Sequence, residues 1–164
     1  MSLNNRLIAE LKQESATTRN LLAAVPMEKG DFKPHEKSMT LRRLATHVAE
    51  IAGWWQQCLV EDVLDFQAGN FVPTVINSTD DLLALHDSSL VKSLQVLADT
   101  PESEFENQWT MRSGEQIYFT LPKSDVTRTW CLNHLYHHRG QLTVYLRLLD
   151  VPLPGTYGPS ADTM

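Results

Sequence analysis

The sequence predicts an all-α four-helix bundle with a long crossover and a short β-hairpin inserted before the last helix. Three observations carry this expectation. Four long segments repeat their apolar residues at the 3.6-residue period of an amphipathic helix. Clusters of Pro, Gly and Asn separate those segments. The central connection is long enough for a crossover, the topology that lets helices of these lengths share one core. At 164 residues the chain is expected to form one domain spanning 1–164, a size that buries a proper core.

Each element has its own signal. Residues 2–24 place Leu3, Leu7, Leu11, Thr18, Leu21, Leu22 and Val25 on one stripe that ends ahead of Pro26. Gly30, Asp31 and Pro34 mark the following loop. Thr40 is the expected N-cap of a second helix reaching roughly Phe66, with Leu41, Leu44, Val48, Ile51, Trp55 and Leu59 facing inward. Gly69, Asn70 and Pro73 then break the chain. Ser78 or Thr79 starts a third helix, with Asp80 and Asp81 at its positive dipole end, and that helix stops before Pro101. The β-prone runs 108–112 and 116–120 flank Ser113-Gly114 and read as a hairpin or flap. Pro122 to Asp125 opens the fourth helix, and Pro152 and Pro154 close it.

Composition excludes several function classes. With 42% hydrophobic and 21% charged residues the chain is ordinary for a soluble protein. No apolar run approaches the ~20 residues of a transmembrane helix. The start Met-Ser-Leu-Asn-Asn-Arg lacks a signal-peptide core, so a cytoplasmic protein is expected. Cys58 and Cys131 are too few for a disulfide framework and sit in apolar helical patterns, as reduced thiols would. A net charge of −6 argues against broad nucleic-acid binding.

The histidines point to chemistry. Three of the chain's six lie in residues 130–141, Trp-Cys-Leu-Asn-His-Leu-Tyr-His-His-Arg-Gly-Gln. Val126, Trp130, Leu142, Tyr145 and Leu149 define the inward face of that helix, with His134 and His138 one turn apart near its middle and His137 towards its edge. Such a pair can aim two nitrogens at one metal ion, or it can be two core histidines bonded to side chains or water. His47, on the flank of the second helix, is the candidate third ligand. Three neutral imidazoles leave coordination positions open, as reactive metal sites do, and suit Zn²⁺, Ni²⁺, Fe²⁺ or Mn²⁺. The spacing lacks the glutamate of His-Glu-x-x-His, so another group would have to move protons. Glu50 and Tyr145 are the candidates, each also readable as an ordinary surface or core residue. His86 reads as a core histidine or a support for the site. Trp54, Trp55 and Trp130 read as core more readily than as a substrate platform.

The run Leu44 to Glu50 with its histidine, Asn-His-x-x-x-His-Arg-Gly-Gln at 133–141 and the tail Tyr157 to Asp162 resemble the DinB/YfiT-like superfamily over nearly the full chain. The resemblance implies a long-crossover bundle, often a homodimer, with His47, His134 and His138 as metal ligands. Its characterised members include bacillithiol transferases and a mycothiol-dependent isomerase, in which a metal holds a thiol as its thiolate. It therefore implies a thiol S-transferase or isomerase with a low-molecular-weight thiol and a small-molecule substrate, or hydrolysis as a variant. A non-catalytic metal or small-molecule binding bundle, and a dimeric stress protein with structural histidines, are the competing readings.

Overall fold

The computed structural model describes residues 2–69 and 74–164, and these are mostly helical with a small three-stranded sheet. Helix α1, Leu3–Ala23, starts on Ser2, whose Oγ accepts the Asn5 N–H at 3.2 Å. It packs along α4, Thr79–Asp99, which starts on Ser78 with Asp80 and Asp81 in its first turn, as expected. The Asn4 amide donates to the carbonyls of Leu97 and Thr100, both at 2.7 Å, so α1 closes the open C-terminal end of α4. Among the described residues no helix is long and apolar enough to cross a membrane.

The second helix departs from expectation. Helix α2, Leu41–Ile51, starts on Thr40, but the chain breaks at Ala52–Gly53 and resumes as α3, Trp54–Val60. A Cβ on Gly53 would stand 3.3 Å from the Ser89 Cβ of α4, so glycine permits the close approach made at the break. Ser93 of α4 donates to the Ala52 carbonyl at 2.6 Å and satisfies it there. The expected continuation to Phe66 does not form. Val63–Asp65 is instead a strand, β1, running parallel to β2, Gln108–Ser113, with Val63 opposite Thr110. Pairing to β2 overrides helical pattern here: the Thr110 N–H reaches the Asp62 carbonyl at 2.8 Å and the Phe66 N–H the Arg112 carbonyl at 3.0 Å. The buried Lys123 ammonium caps the end of α3 at the Leu59 carbonyl, 3.2 Å away, and pairs with Asp62 and Glu104.

On its other side β2 pairs antiparallel with β3, Gln116–Pro122, across a turn in which Gly114 takes a φ of 57°. The expected hairpin is thus two strands of a three-stranded sheet, whose buried Trp109 and Met111 join a core cluster with Leu7, Leu11, Trp55 and Leu97. Of the residues expected to break the chain after β1, Gly69 is described, and Asn70 and Pro73 lie outside the described residues.

The last helical stretch opens at Lys123, as expected, and has three parts. Helix α5, Lys123–Val126, leads into wider π-type turns over Thr127–Asn133 and then into α6, His134–Leu148. Bonds of i→i+5 type admit one extra residue per turn and re-aim the side chains that follow, and such turns recur at functional sites. Helix α6 packs on α2 around Leu44, Val48, Leu142 and Leu146. The C-terminal tail folds back onto α1 and α6: Tyr157 donates to the Glu14 carboxylate at 2.8 Å, and Asp162 pairs with Arg147.

Candidate metal centre

Helix α2 carries His47, and the facing first turns of α6 carry His134 and His138. The fold brings one ligand atom from each to within 4.8 Å of the others. The Nε2 atoms of His47 and His134 are 3.1 Å apart. The nitrogens of a tetrahedral zinc shell, at roughly 2.0–2.1 Å per bond, would lie about 3.3 Å apart. The His47 ring meets those of His134 and His138 at 5.3 Å and 4.5 Å between centroids. All three residues are half-buried. His137, though its ring is 4.8 Å from that of His138, is exposed and outside the cluster.

The second nitrogens decide whether the triad fits a metal. Nδ1 of His138 meets the Gln141 amide oxygen at 2.8 Å, which fixes a proton there and leaves Nε2 as a lone pair. Nδ1 of His47 has no hydrogen-bond partner among the described residues and faces the Glu50 carboxylate at 3.8 Å, so a proton on it would be drawn to that charge. That tautomer turns a bare Nε2 lone pair towards the Nε2 of His134. Burial, followed by the charges that His138, His47 and His137 would carry, holds His134 at a pKa of about 4. Burial likewise lowers His138. A divalent cation requires neutral imidazoles, and burial favours that form in His134 and His138. The donor set fits one.

Glu50 is a partly buried carboxylate held in place. Burial alone would raise its pKa, but the His47 ring, the Arg43 guanidinium at 2.9 Å and the Thr74 hydroxyl outweigh burial and bring it to about 2. Tyr145 stands elsewhere. Its hydroxyl donates to the Met39 carbonyl at 3.0 Å and its ring packs edge-on to Phe32. His86 is buried on α4, with Nδ1 on Asp87 at 3.1 Å, and is not part of the cluster.

A cavity of about 670 Å³ opens beside the cluster and reaches His47 and His134. Trp54 and Trp130 form one wall, stacked at 4.9 Å between centroids with 19° between their planes. The His134 ring lies 4.8 Å from the first and 4.9 Å from the second. Leu64 and Phe66 face them from the β1 side, with Arg43 and Glu50 at the α2 end. Trp55, by contrast, is fully buried core. No residue of the 107–120 segment lines the cavity among those described, so it is β1 and its flank that border it. The periodicity that places Trp55 on the inward face holds, whereas Trp54 and Trp130, expected as core more readily than as a platform, line the cavity. The role of Gln141 was open to a simple signal, since three residues after His138 is one helical turn.

The family model for the DinB family matches residues 1–164. The chain belongs to the DinB family. A curated relative, the uncharacterized protein YrdA of Bacillus subtilis (strain 168), is 25% identical over 163 residues, covering 91% of this chain and 84% of its own length. Two solved structures share the fold. The DinB-like protein YjoA of Bacillus subtilis aligns with a TM-score of 0.68 at 17% identity, over 93% of this chain and 99% of its own. A DinB-like protein of Bacillus cereus ATCC 10987 aligns with a TM-score of 0.70 at 19% identity, over 91% and 94%. This DinB protein therefore has a family fold and three histidines that could hold a metal ion.

Proposed function

We propose that the protein is a metal-dependent enzyme of the thiol S-transferase or isomerase type, with metal-assisted hydrolysis as its variant, built on a long-crossover four-helix bundle that works as a homodimer. The observation that carries this reading is the open side of the cluster. Three imidazoles converge, no fourth His, Cys, Asp or Glu joins them among the described residues, and a cavity reaches two of the three. A structural zinc site closes all four positions, whereas a reactive site leaves one for water or substrate. A divalent ion bound there would lower the pKa of a thiol or water and hold the resulting nucleophile.

The protein's own groups would do the rest. His47, His134 and His138 bind the ion. Gln141 fixes the tautomer of His138, and the charge of the Glu50 carboxylate, 3.8 Å from the His47 Nδ1, favours a proton on that nitrogen. Glu50 stays ionised at neutral pH, so it can accept a proton hydrogen-bonded to it but has little basicity with which to keep one. Trp54, Trp130 and Leu64 exclude water from the cavity wall. With its hydroxyl bonded to the Met39 carbonyl, Tyr145 contributes by setting the loop that leads into α2, which leaves Glu50 as a hydrogen-bond acceptor that passes a proton on rather than a base that keeps it.

The test is spectroscopic. A low-molecular-weight thiol added to Co²⁺- or Ni²⁺-loaded protein should produce a sulfur-to-metal band, and His138→Ala should abolish it. If thiols leave the spectrum untouched and no thiol–electrophile pair turns over, the non-catalytic metal-binding reading replaces the enzyme. Light scattering tests the homodimer.

A further inference from the structure

The cavity is far larger than an open coordination position requires. Its volume of about 670 Å³ lies within the range of roughly 300–1,000 Å³ that buries drug-sized molecules. Its walls also have a particular chemistry. The Trp54 and Trp130 indoles stack on each other, and the ring of His134 stands tilted to them at 58° and 59°, while His47 meets Trp54 edge-on at 5.3 Å and 66°. Leu64 and the half-exposed Phe66 complete an apolar enclosure.

The carboxylates and guanidinium in the lining are balanced before any ligand arrives. Arg43 pairs with Glu50 at 2.9 Å. Asp65 pairs with Arg112 at 2.9 Å and also accepts the N–H groups of Gly114 and Gln67 at 3.0 Å and 2.9 Å. A charged substituent pushed against the indoles, away from the metal end, would lose its hydration and meet no surplus opposite charge among the described residues. An aromatic ring there would find offset-stacked or edge-on partners already in place.

Resting on the metal-site reading, we propose that the site takes a two-part substrate: a small anionic or lone-pair donor that reaches the His47–His134 end, and an uncharged aromatic body that packs on Trp54, Trp130 and Phe66. The indole pair adjoins the ligand histidines, with His134 4.8 Å from Trp54 and 4.9 Å from Trp130, so a ring seated against it carries its donor group to the open position without a long tether. Bodies bearing a carboxylate or many hydroxyls are disfavoured, because the lining is mainly apolar and offers few polar side chains beyond the ion-paired ones, Gln57 and Thr74.

The test uses the full chain loaded with Co²⁺ and three hydroxamic acids as probes, read by the cobalt visible bands. Benzohydroxamic acid should bind at least about tenfold tighter than acetohydroxamic acid, a difference of about 1.4 kcal/mol, and tighter than its 4-carboxy derivative. In Trp130→Leu, and in the milder Phe66→Ala, the ratio of phenyl to methyl affinity should shrink to about threefold or less. Equal binding of the phenyl and methyl probes, or tightest binding of the carboxylated one, overturns the proposal and leaves the metal reading standing. If cobalt itself fails to bind, the metal reading falls. The aromatic half is then judged by tryptophan quenching in the metal-free protein. There, neutral 1-naphthol should bind more tightly than 1-naphthoate and lose that lead in Trp130→Leu, and equal binding of the two overturns it.

Discussion

His138 takes its orientation from one hydrogen bond, to Gln141 a single turn away. If that bond selects the tautomer, Gln141→Leu should weaken metal binding by about 10–100-fold, the usual cost of losing a group that orients a ligand. Gln141→Glu, which keeps an acceptor oxygen in place, should restore most of it, as competition with a chromophoric chelator would measure. Truncating the ligands has a simpler outcome. His47→Ala, His134→Ala and His138→Ala should each empty the site, whereas the exposed His137→Ala should leave metal content near one per chain. A full site in His138→Ala and an empty one in His137→Ala would reverse the assignment. The convergence of the three histidines was legible because imidazoles one turn apart on an apolar face have few other uses. The tasks of their second nitrogens were not, because Gln141 and Glu50 read as ordinary polar helix residues until their partners are placed. Tyr145 shows the opposite limit: its period put it in the core, but the Met39 carbonyl that receives its hydroxyl lies 106 residues away in sequence.

At the scale of elements, the site depends on how α6 is held. Directly after His138, Arg139 turns to the rear of the helix and is buried against α1, with the Glu14 carboxylate at 2.6 Å and the Thr18 hydroxyl at 3.1 Å. The Tyr157 hydroxyl of the tail bonds to the same pair. Removing one partner strands a charge in the interior, so Glu14→Ala should cost about 3–5 kcal/mol in urea denaturation. A loss below about 1 kcal/mol would mean that water already screens the pair. Sequence period located α1, α4 and the start of α2 because their caps, Ser2, Ser78 and Thr40, stand just ahead of an apolar stripe. It overran α2 because residues 54–66 keep enough apolar spacing to pass for helix. What ends the helix is non-local: Ser89 and Ser93 across the break at Gly53, Lys123 on the last turn of α3, and β2 waiting to pair with Val63–Asp65. The π-type turns at Thr127–Asn133 leave no periodic signature either, being a shift of one residue in an otherwise helical run.

For the whole molecule, proton and metal binding both couple to folding. Burial holds His86 below its ordinary pKa of 6.5, outweighing the Asp87 carboxylate at 3.1 Å, and its Nε2 has no hydrogen-bond partner among the described residues. In the unfolded chain this histidine protonates as pH falls past about 6.5, so the unfolded state binds the extra proton and stability drops with falling pH. His134, held at about 4, acts in the same direction, and Glu50, held at about 2, adds its loss as pH falls below about 4.5. The urea midpoint of metal-free protein should therefore decline steadily from pH 7 to pH 4.5, and a flat or rising midpoint would contradict it. Metal works the other way. At a hundredfold excess over Kd a ligand bound only by the folded state adds about 2.7 kcal/mol, worth about 5–10 °C in Tm at this chain length, and His47→Ala should abolish that gain. The central claim is three imidazoles around one ion with a position left open, and X-ray absorption of zinc-loaded protein purified without a histidine tag tests it most directly. The expected spectrum has three imidazole nitrogens at about 2.0–2.1 Å plus a light oxygen scatterer, with a sulfur at about 2.3 Å replacing the oxygen when a thiol is added. A resting shell closed by a fourth protein side chain, or a chain that retains no zinc at all, would contradict it.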